Sequence, residues 1–200
     1  MFKLSSHWPL LALVGAVSLI NVAAPSSALA FERAPILHGE LWRIITGNLV
    51  HTNTSHLLLN LGSVLAIYSL FFDHLGRARL LSLMALLWLA VGLGIWWLCP
   101  QTDWYMGLSG SLHGLFAWGA IQDIRTGRRI SGWMLFTGLL MKLFWDQYTG
   151  GQGVISGMID ARVHIGSHLL GSVAGTMLSL CSLRLGQFAV WNINAKRQVL

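Results

Sequence analysis

The chain has 200 residues, enough for one domain, and 54% of them are hydrophobic while only 10% are charged. A soluble domain carries about 25% charge, so this composition excludes an ordinary water-soluble fold and indicates an integral membrane protein. Thirteen Lys and Arg against seven Asp and Glu give a formal net charge of +6, but they cluster between long apolar runs instead of lining one basic face, which argues against a nucleic-acid partner and makes them markers of topology.

The first apolar run, about residues 8–30, is long enough to cross a bilayer, which takes roughly 20 residues. It also ends in Ser26-Ser-Ala-Leu-Ala30, with the small-residue spacing of a signal-peptidase site, so a retained first span and a cleaved leader both stay open. Residues 31–53 are too mixed to span. Glu40-Leu-Trp-Arg43 reads as an interfacial piece in which an amphipathic indole sits beside a charge. The second span is expected over 54–73, with His56 and Asn60 four residues apart on one helix face. A basic turn at His74–Arg79 precedes a third span over 80–98, which Pro100 stops.

A fourth span is expected over 108–123, a fifth over 130–148 and a sixth over 164–185. The fourth begins with Ser109 between Gly107-Leu108 and Gly110; His113 follows one turn later. It is short for a span, so its first turn is expected below the membrane surface, where irregular backbone is tolerated only against protein or a wet cavity. Residues 149–162, rich in glycine, read as a flexible loop. Lys3, Arg77, Arg79, Arg125 to Arg129, Arg184, Lys196 and Arg197 fall on alternate connections from Arg33, Arg43 and Arg162. The positive-inside rule then places both termini in the cytoplasm. Cys99 and Cys181 fall toward opposite faces, so no disulfide between them is expected.

This topology brings Ser109, His168 and His56, near the starts of three different helices, to one depth on the outer side. Polar groups inside a membrane bundle are expensive and usually functional. Gly171 and Gly175, after His168, let a neighbouring helix pack closely; if that neighbour carries Ser109, imidazole and hydroxyl come within the reach that nucleophilic catalysis requires. Gly107 and Gly110 are expected to let backbone approach closely and to expose amides around the serine, and His56 and Asn60 to add oxyanion donors. The Ser109 and His168 helices carry no Asp or Glu at that depth, with Asp103 and Asp160 in loops, so a Ser-His dyad is expected in place of a triad. Ser111 has the lesser claim to be nucleophile. Lys142 is expected to snorkel toward the outer interface.

Gly107-Leu-Ser-Gly110, Gly166-Ser-His-Leu-Leu-Gly171 with Gly175, Glu40-Leu-Trp-Arg43 and the segment from His51 to Asn60 together resemble the rhomboid intramembrane serine proteases. The resemblance implies an all-α membrane protein, a six-transmembrane-helix bundle with an interfacial first outer loop. It implies Ser109 as nucleophile, His168 as base, and His56, Asn60 and the Ser109 backbone as oxyanion hole, with the fifth span as a mobile gate. His113 stands where many rhomboids have an aromatic residue stacked on the catalytic histidine, and is expected to stack on His168. The small size and the Ser-Gly-Ser-Leu-His-Gly run look most like the rhombosortase branch. That implies substrates with a C-terminal Gly-Gly motif, an apolar helix and a basic tail, cleaved near the outer end of the helix at a helix-destabilising Gly-rich site. It also implies a bacterial inner-membrane location with the active site opening to the periplasm, and neither cofactor nor metal.

Two other classes stay open. Five outer-half histidines, His51, His56, His113, His164 and His168, permit a haem or metal protein, although no His-Glu-x-x-His motif or metal-spaced cysteine pair is present. A non-catalytic rhomboid-like protein that captures membrane helices is the other.

Overall fold

The computed structural model describes residues 7–197, with side chains described outside 76–78 and 182–197. Of the topology markers, Lys3, Arg77, Arg184, Lys196 and Arg197 lie outside these described residues or side chains. The chain is mostly helical, in the order α1 (Trp8–Ala23), α2 (Ser26–Leu29), β1 (Phe31–Glu32), α3 (Arg33–Leu37), α4 (Arg43–Thr46), α5 (Thr54–Leu70), α6 (Phe72–Leu98), β2 (Trp104–Tyr105), α7 (Ser109–Arg125), α8 (Arg129–Thr149), α9 (Val154–Ile159) and α10 (Ile165–Arg197). Arg79–Leu98 is long and apolar enough to cross a membrane by length and composition; Trp8–Ala23, Thr54–Leu70 and Ile165–Cys181 are shorter apolar helices.

The bundle is organised around α7, which packs against α5, α6, α8 and α10. Its small residues explain that position. Gly110, Gly114, Ala117, Gly119 and Ala120 are all buried, so neighbouring backbones come close without displacing a side chain. A Cβ on Gly171 or Gly175 of α10 would lie 1.8 Å from the carbonyl oxygen of Gly110 or Gly114 respectively, and one on Gly114 would lie 2.6 Å from that of Gly171. Two small-xxx-small faces are therefore in backbone contact. On the α5 and α6 sides, Val64, Tyr68, Phe71, Met84 and Leu87 close the main core with Leu108, Leu112, Leu115 and Trp118.

Leu13 and Val17 of α1 belong to the same core, and the segment after α1 is built into the fold. Arg43, almost fully buried, donates from Nη1 to the carbonyls of Ser27 (2.8 Å) and Ala30 (2.9 Å), and from Nε to Glu40 (2.6 Å). Trp42 and Leu41 are exposed instead. The interfacial piece thus turns its apolar side chains outward and its charge inward, where a buried guanidinium finds carbonyl acceptors. Phe31 and Glu32 pair antiparallel with Tyr105 and Trp104, and Arg33 donates to the carbonyls of Ile95, Trp96, Cys99 and Thr102 at 3.0–3.3 Å. The C-terminus of α6 is thereby satisfied at the point where Pro100 ends it.

Two local expectations need correction. His74–Arg79 forms no turn: the chain breaks at Phe71, and residues 72–79 are the first turns of α6. Nothing in that segment stops a helix, since it lacks proline and its charges can sit at a helix end. The glycine-rich segment after α8 is not simply a loop, for it contains α9, with Ile159 buried and Val154, Ile155 and Met158 exposed. Its carbonyl ends are held from the α5 side, by Thr52 Oγ1 to Ile159 O (2.6 Å) and Asn53 Nδ2 to Met158 O (3.2 Å). Cys99 and Cys181 are both free thiols.

Candidate active site

Ser109 is the first residue of α7, and helix N-termini leave their first amides without intrahelical acceptors. His168 lies one turn into α10 and is buried. The glycine contacts between these helices set the separation of the two side chains, and Nε2 of His168 lies 3.0 Å from Ser109 Oγ. The ring of His113 stacks on that of His168, with centroids 3.9 Å apart and planes inclined by 14°. Its Nδ1 donates to the Ser109 carbonyl at 2.7 Å.

His56 and Asn60 are buried on α5 and line the same cavity as Ser109. Asn53 caps α5 by accepting from the His56 amide at 2.8 Å. The Nδ2 of Asn60 is buried without a hydrogen-bond partner. An unmet donor of this kind is costly and marks a place where an acceptor is expected. Gly107 forms the floor beside these groups. Its φ is +119°, and a Cβ there would lie 2.7 Å from His56 Nε2 and 3.7 Å from Asn60 Nδ2, so both conformation and space require glycine. The Tyr105 hydroxyl donates to the Gly107 carbonyl at 2.6 Å, and burial pushes that phenol up, so it stays protonated and keeps donating.

Gly110 lies where α7 and α10 meet: a Cβ there would fall 2.9 Å from Ser167, so its smallness allows the close backbone approach. Ser111 is turned away, with Oγ donating to Leu108 O at 2.9 Å and lying 3.5 Å from Asn48 Oδ1.

The histidines divide by role. His164 accepts from the Ser167 amide at Nδ1 (3.0 Å) and so donates from Nε2 to Thr102 Oγ1 (2.9 Å). His51 donates from Nδ1 to Asn21 Oδ1 (3.2 Å), because Asn21 spends its amide hydrogens on the carbonyls of Val17 and Leu49. Desolvation by burial, with the neighbouring His56, pulls the His51 pKa down to about 3, so the ring stays neutral.

The carboxylate missing from the sequence reading is Asp146 of α8. Its Oδ2 lies 2.9 Å from His168 Nδ1, and Lys142 Nζ holds its two oxygens at 2.5 and 2.6 Å. Asp146 is on neither the Ser109 nor the His168 helix, and only the packing of α8 beside α7 and α10 brings it in. A signal was present: Lys142 and Asp146 are four apart in a long apolar helix, where a charged pair on one face is costly unless used. Lys142 accordingly pairs inward with Asp146 while its side chain stays half exposed.

Ring nitrogens of His113 and His168 and an oxygen of Asp146 lie within 4.8 Å of one another, a trio with metal-ligand chemistry. The stacked rings, however, direct their in-plane nitrogen lone pairs along parallel planes, not toward one point. Both nitrogens of His168 are also engaged, by Ser109 and Asp146. The trio fits a proton relay better than an ion.

Two cavities meet at Ser109. A groove of about 350 Å³ runs between α5 and α8, with Ile67, Leu112, Phe116, Leu135 and Leu139 in its walls. The second, about 860 Å³, reaches the loops at Gln101, Asp103 and Arg162 and contains His56 and His168. Asn60, Ser109, His113 and Lys142 line both.

The sequence matches the Rhomboid domain family over residues 38–185. It is 28% identical over 158 residues to the protein named "Putative rhomboid protease YdcA" of Bacillus subtilis, covering 73% of this chain and 70% of that one. It is 27% identical over 177 residues to "Uncharacterized protein Rv1337" of Mycobacterium tuberculosis, covering 83% of this chain and 69% of that one.

Proposed function

The chain belongs to the membrane-embedded rhomboid family, and we propose from this premise that it is an intramembrane serine endopeptidase with Ser109 as nucleophile and His168 as general base. The observation that carries the reading is the 3.0 Å approach of Ser109 Oγ to His168 Nε2, where an apolar groove meets a polar cavity beside an unpartnered Asn60 amide. The Ser109 hydroxyl passes its proton to Nε2 as Oγ attacks the scissile carbonyl. Asn60 Nδ2, His56 Nε2 and the Ser109 amide donate to the developing oxyanion. The His56 role requires Nδ1 to accept from the Thr52 amide, 3.5 Å away, because the Thr52 hydroxyl already donates to the Ile159 carbonyl. His168 returns its proton to the leaving amine, and water entering by the polar cavity hydrolyses the acyl-enzyme. His113 supports the His168 ring by stacking.

A helical peptide bond is shielded by its own hydrogen-bond ladder, so a substrate segment enters unwound, which favours glycine near the cut because it is a weak helix former. The groove's position supports α8 as the side of entry and gate. The finer assignment is a rhombosortase-like enzyme of a bacterial inner membrane. It has six spans, both termini in the cytoplasm and a site open to the periplasm, and cleaves exported proteins near a C-terminal Gly-Gly anchor.

The test is turnover of a membrane-tethered Gly-Gly substrate by wild type and by Ser109→Ala, with fluorophosphonate labelling in parallel. Wild type is expected to cleave and label at Ser109 and the variant to do neither; equal cleavage by the two refutes the reading. Labelling also separates an enzyme from a helix-capturing relative without activity, and a metal assay and absorption spectrum address a histidine-ligated cofactor.

A further inference from the structure

We infer that Asp146 is a positioning residue that completes a Ser109–His168–Asp146 relay, with Lys142 holding the carboxylate in place; this rests on the serine-protease reading above. A carboxylate only accepts hydrogen bonds. The 2.9 Å contact from Asp146 Oδ2 therefore places the proton of neutral His168 on Nδ1 and leaves the Nε2 lone pair facing Ser109 Oγ at 3.0 Å. This tautomer is the one that can take the serine proton, and the same carboxylate stabilises the imidazolium that results. The opposite tautomer, with hydrogen on Nε2, blocks the first step.

The carboxylate is itself fixed in orientation. Lys142 lies one turn earlier on the same face of α8 and spans both oxygens, so the two-point contact limits rotation about the Asp146 side chain. Asp146 is buried, and the nearby backbone is anchored where the Gly151 amide donates to the Asp146 carbonyl at 3.0 Å. Leu143 and Leu139, one and two turns earlier, pack on Ala117 of α7. The third member of the relay thus stands on α8, a wall of the proposed entry groove. A displacement of α8 that widens the groove also takes the carboxylate from His168, so the relay is complete only with α8 docked.

The experiment compares full-length wild type, Ser109→Ala, Asp146→Asn and Asp146→Glu for steady-state cleavage of the tethered Gly-Gly substrate and for the rate of fluorophosphonate labelling. Asp146→Asn is expected to lower kcat and the labelling rate together by roughly 10²- to 10⁴-fold, the range set by tautomer loss in known triads. KM should stay within about twofold, because no substrate contact is removed. Asp146→Glu, which keeps the carboxylate, is expected to recover at least about tenfold over Asp146→Asn. A folded Asp146→Asn that labels and turns over at the wild-type rate overturns the inference, leaving Asp146 as a tether between helices. If Asp146→Asn does not purify folded, wild type decides by nitrogen NMR with ring-labelled histidine: Nδ1–H on neutral His168 supports the relay and Nε2–H overturns it. Activity in Ser109→Ala would instead refute the protease reading itself.

Discussion

The contact between α7 and α10 is tight enough for one methyl group to test the site. In Gly171→Ala, the new Cβ would lie 1.8 Å from the Gly110 carbonyl oxygen, where ordinary contact begins near 3.4 Å. Both atoms sit on helix backbone and no rotamer relieves them, so the helices must separate by about 1.5 Å. Residue 171 lies one turn from His168 and residue 110 is adjacent to Ser109, so most of the separation appears at the catalytic pair. A 3.0 Å hydrogen bond lengthened by about 1 Å is lost, and misplacement on that scale costs about 10² in rate. Overpacking of this kind also costs about 1–3 kcal/mol of stability. The assay measures kcat on the tethered substrate together with thermal unfolding in detergent. Gly62→Ala on α5 is the control, because nothing lies within 4 Å of its Cβ position; it is expected to keep wild-type activity and gain about 0.5 kcal/mol. Gly171→Ala retaining activity within threefold, with an unchanged melting temperature, would refute the claim that these glycines set the Ser109–His168 distance.

Asn60→Ala should lower kcat by about 10²- to 10³-fold with little change in KM, the loss typical of one oxyanion donor, and steady-state kinetics of the folded variant check it. Gly107→Ala combines a strained φ with a Cβ against His56, and is expected to abolish labelling at Ser109, scored by gel fluorescence. Arg43→Ala strips the buried partner from the carbonyls of Ser27 and Ala30 and should destabilise the fold by about 3 kcal/mol, measured by thermal or denaturant unfolding in micelles. The mass of the mature chain is expected to include α1, because Leu13, Val17 and the residues that hold Arg43 precede Phe31; a mass beginning at Phe31 would remove one wall of the bundle.

Composition alone determined that this chain needs a bilayer, because no folded surface can be built for water with so few charges. Span length and helix termination are local properties, so α5, α7 and α8 start and end within a few residues of the apolar runs, whereas α1 ends earlier, α6 begins earlier and α10 ends later than its run. Helical spacing likewise determined that His56 shares a face with Asn60, and the small residues after His168 marked a close helix contact. Only the tertiary structure decided which helices meet. It set Gly110 against Ser167 of α10, put Arg43 inside and Trp42 outside, and folded part of the glycine-rich loop into α9. It also brought Asp146, held by Lys142 near the end of α8, to the back of His168. A relay assembled from three helices depends on how α7, α8 and α10 rotate against one another. Those rotations are set by packing between backbones far apart in the chain, which periodicity within any one helix does not encode.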